Sequence, residues 1–283
     1  MKYTEETTLF RCEGESLVGI LAKPDTPSDT GVVVIVGGPQ YRVGSHRQFV
    51  LLSRALAAAG YAVLRFDYRG MGDGSGPQRD FESVSADVGT AIDQLQKSVP
   101  AVQRVVLWGL CDGASAALLY CHETHDPRVK GLCLLNPWVR SEASLAKTQV
   151  KHYYTQRLRQ KEFWVKLLSG KVALSALSGF AAKLRQSSGG AHSQQDSVGT
   201  FQQRMAKAWQ GFSGHILLVL SGEDYTAKEF VEHAQTDVAW KGYQSHPKLT
   251  CNTIAGVDHT FSNATARGQA AEATLQWLAS SSH

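Results

Sequence analysis

The chain has few cysteines and no paired cysteine motif. Among its 283 residues are five cysteines, Cys12, Cys111, Cys121, Cys133 and Cys251. They are scattered, and no C-x-x-C occurs. An odd number of scattered cysteines does not suit a disulfide framework, so a reducing compartment, the cytoplasm, is predicted.

Long hydrophobic runs are also missing. The N-terminus, MKYTEETTLF, lacks the apolar core of a signal peptide. The uncharged apolar stretch 172–182 is far too short to span a bilayer. We therefore expect a chain that is not an integral membrane protein.

Metal-ligand spacing is lacking as well, although there are ten histidines. His122 and His125 are too close together for the zincin pattern H-E-x-x-H, and no cysteine lies at ligand spacing. Surface histidines explain this pattern better. We predict no metal, no cofactor and no nucleic-acid partner.

Strand and helix patterns alternate along most of the chain. Two strands are predicted around the turn at Glu13 and Gly14, within residues 1–23. Short apolar runs then alternate with amphipathic segments, which is typical of a parallel sheet in a doubly wound α/β fold. The predicted strands are 32–36, 62–66, 105–108, 131–135, 216–220 and 249–254, and the predicted helices are 47–59, 81–97, 114–122, 227–233 and 264–278. Ligands of such folds bind at the carboxyl ends of the strands.

A long segment interrupts this alternation. No strand pattern occurs between 136 and 214, and a structureless loop of that length is improbable inside a domain. We predict an inserted helical cap over 138–211, with the core formed by 1–137 and 212–283. Tyr153 and Trp164 are candidate substrate-binding residues of this cap.

The cap sequence is strongly basic. Residues 138–185 contain ten Lys or Arg and two Glu, in a chain of net charge +4. One interpretation is a solvated helical face. The other is attraction to an anionic substrate, a membrane surface or a partner.

The strand predicted at 105–108 leads into a glycine pattern around a cysteine. Gly109, Cys111 and Gly113 form G-x-C-x-G between this strand and a helix that opens with small residues. The same context surrounds the serine of the G-x-S-x-G nucleophile elbow. Cys111 is therefore a candidate nucleophile.

An acid and a histidine follow at later strand ends. Asp224 comes after the strand 216–220, and His259 comes after the strand 249–254. The order nucleophile, acid, histidine is the one used on α/β-hydrolase sheets. We expect Cys111, Asp224 and His259 to meet at one edge of the sheet.

Oxyanion donors are expected from two places. The loop "VVVIVGGPQYRVG" follows the first parallel strand, and its proline has no N–H, so Gln40 or Tyr41 is the predicted donor. The second donor is the backbone N–H of Asp112. The carboxylate of Asp112 disfavours negative charge there unless it turns away or is paired.

Basic residues lie in the same loop and directly after it. Arg42, His46 and Arg47 are candidate partners for Asp112 or for a substrate carboxylate or phosphate. Alternatively, they simply precede and cap the next helix.

These motifs together carry a family resemblance. Over nearly its whole length the chain resembles an α/β-hydrolase, through its strand order, G-x-C-x-G, "FDYRGMGDGSG" and "GVDHTF". More narrowly, "GGPQYRVGSHRQF" and "WGLCDGAS" resemble the type 1 branch of the exosortase A system-associated hydrolases. The resemblance implies a mostly parallel central sheet flanked by helices, and partners in exosortase and exopolysaccharide machinery. Most of the superfamily has Ser where this chain has Cys111.

A cysteine nucleophile would form a thioester with a small acyl substrate. Such an intermediate can be hydrolysed or can pass its acyl group to an acceptor. We predict hydrolysis of an ester or thioester, because nothing in the insertion resembles an acceptor site; acyl transfer is the alternative. Dienelactone hydrolases and polyhydroxyalkanoate synthases are similar in having Cys at this position. A catalytically silent binding or scaffold module is the third alternative.

Overall fold

A computed structural model describes residues 1–38, 40–140 and 199–281. The chain divides into a larger unit, Met1–Val139 with Thr200–His283, and a smaller one, Arg140–Gly199. Most of the predicted cap, including Tyr153 and Trp164, lies outside the described residues. Residues 201–211, which the prediction places in the cap, belong instead to the larger unit.

The larger unit is built on one sheet of eight strands. Its order is β1-β2-β4-β3-β5-β6-β7-β8. The strands are β1 (Tyr3–Cys12), β2 (Glu15–Pro24), β3 (Thr30–Ile35), β4 (Ala62–Asp67), β5 (Arg104–Leu110), β6 (Val129–Leu135), β7 (His215–Ser221) and β8 (Leu249–Ile254). The strands β3 to β8 are parallel, so their carboxyl ends share one edge. Every residue of β3 and β4 is buried, as expected for strands covered on both faces.

The first two strands form an antiparallel hairpin at the edge of the sheet. Cys12 pairs with Glu15, and the two intervening residues, Glu13 and Gly14, both have positive φ (47° and 88°). A two-residue turn of this kind matches the twist of the flanking strands. The hairpin predicted around this turn is therefore present.

Six helices of the described residues cover the sheet. They are α1 (Gln48–Ala58), α2 (Ser85–Ser98), α3 (Asp112–Thr124), α4 (Phe201–Gly211), α5 (Tyr225–Thr236) and α6 (Ala264–Ser281). Side chains of α1 and α6 share one hydrophobic cluster with Val34 and Trp108. Side chains of α2 to α5 share the other with Leu107 and Leu134. The sheet therefore lies between two helical layers.

This architecture confirms the predicted α/β-hydrolase fold class. Among the helices in the described ranges, none combines the length and hydrophobicity needed to cross a bilayer.

Candidate active site

Cys111 lies in a tight turn between β5 and α3. Its backbone adopts φ 61° and ψ −126°, which is unusual for a residue with a side chain. The Cys111 N–H donates to the Leu135 carbonyl (2.9 Å), and the Cys111 carbonyl accepts from Ala114 (3.0 Å) and Trp138 (3.3 Å). Hydrogen bonds on both sides thus hold a strained backbone in place.

The turn depends on glycine at three positions. A Cβ at Gly109 would lie 2.4 Å from the carbonyl carbon of Gly113, and one at Gly113 would lie 2.5 Å from the Ile35 oxygen. A Cβ at Gly37, in the loop after β3, would lie 2.3 Å from Oδ1 of Asp112. Only glycine allows β5, α3 and the loop after β3 to approach so closely.

Asp224 and His259 are joined directly. Nδ1 of His259 lies 2.7 Å from Oδ2 of Asp224. Asp224 is 5% exposed and is also the N-cap of α5, accepting hydrogen bonds from the N–H groups of Thr226 (3.0 Å) and Ala227 (3.3 Å). The N-terminus of α5 therefore fixes the orientation of the same carboxylate that contacts the imidazole.

Backbone hydrogen bonds link the loops that carry these two residues. The N–H of Gly222 donates to Ile254 (2.9 Å), and that of Glu223 donates to Val257 (3.0 Å). The loop after β7 is thus tied to the loop after β8. Cys111, Asp224 and His259 all follow parallel strands, so the structure places all three at the carboxyl edge of the sheet.

Asp112 follows Cys111 and is the first residue of α3. Burial raises the pKa of its carboxyl group, while the backbone N–H groups of Gly38, Asp112 and Gly113 and the charge of His259 lower it. Oδ1 is buried and has no hydrogen-bond partner among the residues the structure describes. An acidic group therefore lies among the amides expected to stabilise an oxyanion, and it is poorly satisfied there.

The two other predicted oxyanion residues are placed differently. The Gln40 N–H donates to the Gly38 carbonyl (2.8 Å), and the Gln40 side-chain oxygen accepts from the Ser45 N–H (2.9 Å). Tyr41 is 48% exposed. The N–H of Gly38, rather than that of Gln40, faces the carboxyl group of Asp112.

Arg42 is paired away from Asp112. Its guanidinium contacts Asp67 and Asp73, the latter at 2.7 Å, and its backbone N–H donates to Asp67 (2.6 Å). Asp67 is fully buried. These bonds fix the loop after β3 beside the turn that follows β4, and they neutralise the charge of Arg42.

His46 and Arg47 are exposed and immediately precede α1. Both have positive φ (54° and 60°), and Arg47 is the N-cap residue with no side-chain capping bond. The structure therefore puts them at the helix start, without a side-chain cap.

Sequence reasoning did not single out Asn136, which joins the ends of β6 and β7. Asn136 is fully buried with φ 45°; its Nδ2 donates to Oγ of Ser221 (2.9 Å), and its Oδ1 accepts from the Ser221 N–H (2.8 Å). These bonds hold the strand that carries Asp224. The available signal was an asparagine just past an apolar strand and just before Pro137.

Within the described ranges, no group of three or more His, Cys, Asp or Glu side chains is arranged to hold a metal ion. The thiol of Cys111, the imidazole of His259 and the carboxylate of Asp224 lie at the carboxyl edge of the sheet.

Comparison with solved structures agrees with this architecture. A Pyrococcus furiosus esterase, Pf2001, superposes with a TM-score of 0.64 at 16% identity, covering 99% of this chain and 94% of that chain. Est1E from Butyrivibrio proteoclasticus, solved with ferulic acid bound, gives 0.62 at 16% identity over 96% and 99%. A dienelactone hydrolase from Anabaena variabilis gives 0.63 at 13% identity over 99% of each chain. At these identities the likeness shows the fold alone.

The fold and the strand-end residues define an α/β-hydrolase. A family model described as "Serine aminopeptidase, S33" matches residues 27–187, more than half of the chain, and the protein belongs to that family. No curated protein matches the chain. The family description names a serine, whereas the turn in this chain carries Cys111.

Proposed function

We propose that the protein hydrolyses a carboxylic ester or thioester through Cys111, His259 and Asp224. The observation that carries the proposal is the strained Cys111 turn, at a sheet edge where His259 is hydrogen-bonded to a buried Asp224 (2.7 Å). A nucleophile, a base and a group that orients the base are the parts that acyl transfer requires.

The proposed steps assign one role to each residue. His259 removes the Cys111 thiol proton through Nε2, and Asp224 holds the Nδ1–H and stabilises the imidazolium. The sulfur attacks the carbonyl carbon, and the carbonyl electrons move to oxygen. The oxyanion then collapses and expels the alkoxide or thiolate, which His259 protonates. In the second half, His259 takes a proton from water, and the oxygen attacks the thioester carbonyl. Collapse of this second oxyanion breaks the C–S bond and releases the acid, and the Cys111 thiolate takes the proton back from His259.

Backbone amides supply the oxyanion site in this proposal. The N–H of Asp112, at the start of α3, has the helix dipole behind it. The N–H of Gly38 lies across from it, and both face the Asp112 carboxyl group. That carboxyl group must give up this position, or be protonated, for the substrate oxygen to use these donors.

A covalent adduct tests the nucleophile. After p-nitrophenyl acetate is added, intact-mass spectrometry should show one acetyl group, which peptide mapping assigns to Cys111. Cys111→Ala should abolish both the adduct and turnover. Turnover that survives in Cys111→Ala, or an adduct on another residue, would reject the proposal.

The other cysteines provide controls for alkylation. Burial raises the pKa of the Cys133 thiol, whereas Cys251 is an exposed thiol on β8. Iodoacetamide should modify Cys111 faster than Cys251 and leave Cys133 intact in the folded protein. Cys251→Ala should keep full esterase activity.

The sequence resemblance adds a finer proposal. The exosortase-associated branch, with its exopolysaccharide machinery and a cytoplasmic location, rests on "GGPQYRVGSHRQF" and "WGLCDGAS". Co-purification of the tagged protein with exosortase-system components from its host would test it.

A further inference from the structure

A cavity of about 250 Å³ lies between α1 and α6. Its walls are mostly apolar and include Leu52 of α1, Trp108 of β5 and Leu135 of β6. The Trp108 indole is held by a hydrogen bond to Thr274 (3.3 Å), so this wall is fixed. Leu51, at its rim, is 40% exposed.

Two polar side chains in the cavity lack partners of the kind they need. Gln48 is 6% exposed, and its buried Nε2 has no acceptor among the described residues. Arg267, in the first turns of α6, donates to the carbonyls of Phe261 (3.4 Å) and Ser262 (2.5 Å). In the described part of the chain, no carboxylate pairs with Arg267, and its buried Nε is also without an acceptor.

These features together define the chemistry of a ligand. A buried amide N–H without an acceptor costs free energy, and neutral carbonyls do not cancel the charge of a guanidinium. The remaining walls favour hydrocarbon. An occupant that satisfies all three conditions has an apolar chain and an anionic oxygen group.

We infer that this cavity binds a small apolar carboxylate, with its chain against Trp108 and Leu52, its carboxylate on the Arg267 guanidinium, and the buried Gln48 amide rotating toward it. Cys111 is not among the residues that line the cavity, and the inference does not depend on the proposed hydrolysis.

The cavity also adjoins the loop that carries His259. Phe261, two residues after His259, lines it and has a positive φ of 51°. Leu135, another wall residue, accepts the hydrogen bond of the Cys111 N–H. A bound acid therefore touches the segments that hold both residues.

Binding to the full chain tests the inference, with sodium octanoate as the probe and calorimetry as the measurement. Octanoate should bind saturably, and octan-1-ol, which has the same chain without the charge, should bind at least about tenfold more weakly. Arg267→Gln should weaken octanoate by about tenfold and leave octan-1-ol unchanged. Absence of saturable octanoate binding, or equal affinity for the two probes, would overturn the inference.

A cavity-filling variant locates the site. Gly268 lines the cavity, and a Cβ there meets nothing within 4 Å, so Gly268→Leu should fold and abolish binding. Gly211, in α4, has the same free space and does not line this cavity; Gly211→Leu is the matched control. Binding that survives in Gly268→Leu would overturn the assignment.

A further variant distinguishes binding in the cavity from binding at the catalytic cysteine. Cys111→Ala should bind octanoate as the wild type does, whether or not the wild type proves to be a hydrolase. Loss of binding in Cys111→Ala would place the acid at the cysteine instead and reject the cavity site.

Discussion

The region around Asp87 and the region around Asp112 each bury an acidic side chain in the first turn of a helix beside the sheet. Asp87, in α2, is fully buried and forms a two-bond ion pair with Arg69, through Nε (2.9 Å) and Nη2 (2.8 Å), and it also accepts from the Arg69 N–H (2.9 Å). Asp112, in α3, leaves Oδ1 buried without a partner among the described residues.

The difference separates a structural acid from one beside reactive groups. Hydrogen bonds to Asp87 raise the pKa of Arg69, so both charges stay in place and tie α2 to the turn after β4. Burial raises the pKa of Asp112, so its charge is disfavoured beside Cys111. Unfavourable burial persists where a function needs it, and the contrast therefore points to the Cys111 turn.

The largest expected effect tests whether the region around Asp112 contains the catalytic residues. Asp224→Asn removes the charge that His259 needs but keeps a good N-cap for α5, because the remaining side-chain oxygen still accepts from the Thr226 N–H. We expect kcat for p-nitrophenyl acetate to fall about 10⁴-fold, as when a triad carboxylate becomes an amide. The melting temperature should change little.

Asp224→Ala provides the matched comparison. It should lose the same activity and, in addition, about 1 kcal/mol of stability, because Thr226 and Ala227 lose their cap. Equal stability of the two variants would argue against the capping role. Activity retained in Asp224→Asn would argue against the triad.

The next effect tests the structural acid. Asp87→Ala leaves the Arg69 guanidinium buried, and the acidic partner that remains to it among the described residues is the exposed Glu13. We expect a loss of about 3–5 kcal/mol in the free energy of unfolding, measured by urea denaturation. The specific activity of the folded fraction should be unchanged.

An exposed ion pair is the control for that loss. Asp93 is 67% exposed and pairs with Arg128 at 2.5 Å. Asp93→Ala should cost only about 0–1 kcal/mol. Similar costs for Asp87→Ala and Asp93→Ala would mean that burial does not distinguish the two pairs.

The sequence was sufficient to predict the sheet and the positions of the three candidate catalytic residues. Strand ends of a parallel sheet meet at one edge, so Cys111, Asp224 and His259 could be placed from the strand pattern alone. Helix α4 falls within the predicted bounds of the cap because it follows a long stretch without strands. Its T-x-x-Q capping box, Thr200 to Gln203, was a local signal for its start.

Other parts of the site depend on tertiary contacts that no local pattern contains. The burial of Asp112 follows from the close approach of Gly37, which is distant in sequence. Arg42 pairs with Asp67 because β3 and β4 are neighbours in the sheet, not because of spacing along the chain. The donor at Gly38 likewise depends on how the loop after β3 turns.

The smallest expected effect bears on Asp112 itself. Its pKa is raised in the folded chain, so the folded state holds this proton more tightly than the unfolded state does. Stability from this group is therefore present below the unfolded carboxyl pKa and is lost as pH rises through the folded one. The side chain of Asn does not titrate, so Asp112→Asn removes this loss of folding stability at high pH. We expect the variant and the wild type to be equally stable at about pH 4, and the variant to be more stable by about 1 kcal/mol at about pH 8.

The groups that face Asp112 shape this pH dependence and provide a second measurement. His259 lowers the pKa of Asp112, and Asp112 contributes, after burial, to the raised pKa of Tyr68. In a Tyr68→Phe background, Asp112→Asn should therefore still be more stable than its parent at about pH 8. The control Asp25→Asn, at an exposed position, should show no such gain in stability.

The same substitution also tests the oxyanion site. If the Asp112 carboxyl group competes with the substrate oxygen for the amides of Gly38 and residue 112, Asp112→Asn should raise kcat for p-nitrophenyl acetate at about pH 8 and have a smaller effect as the pH falls. A variant that is less stable and slower at every pH would show that Asp112, like Asp87, is a satisfied structural acid, and the contrast between the two regions would disappear.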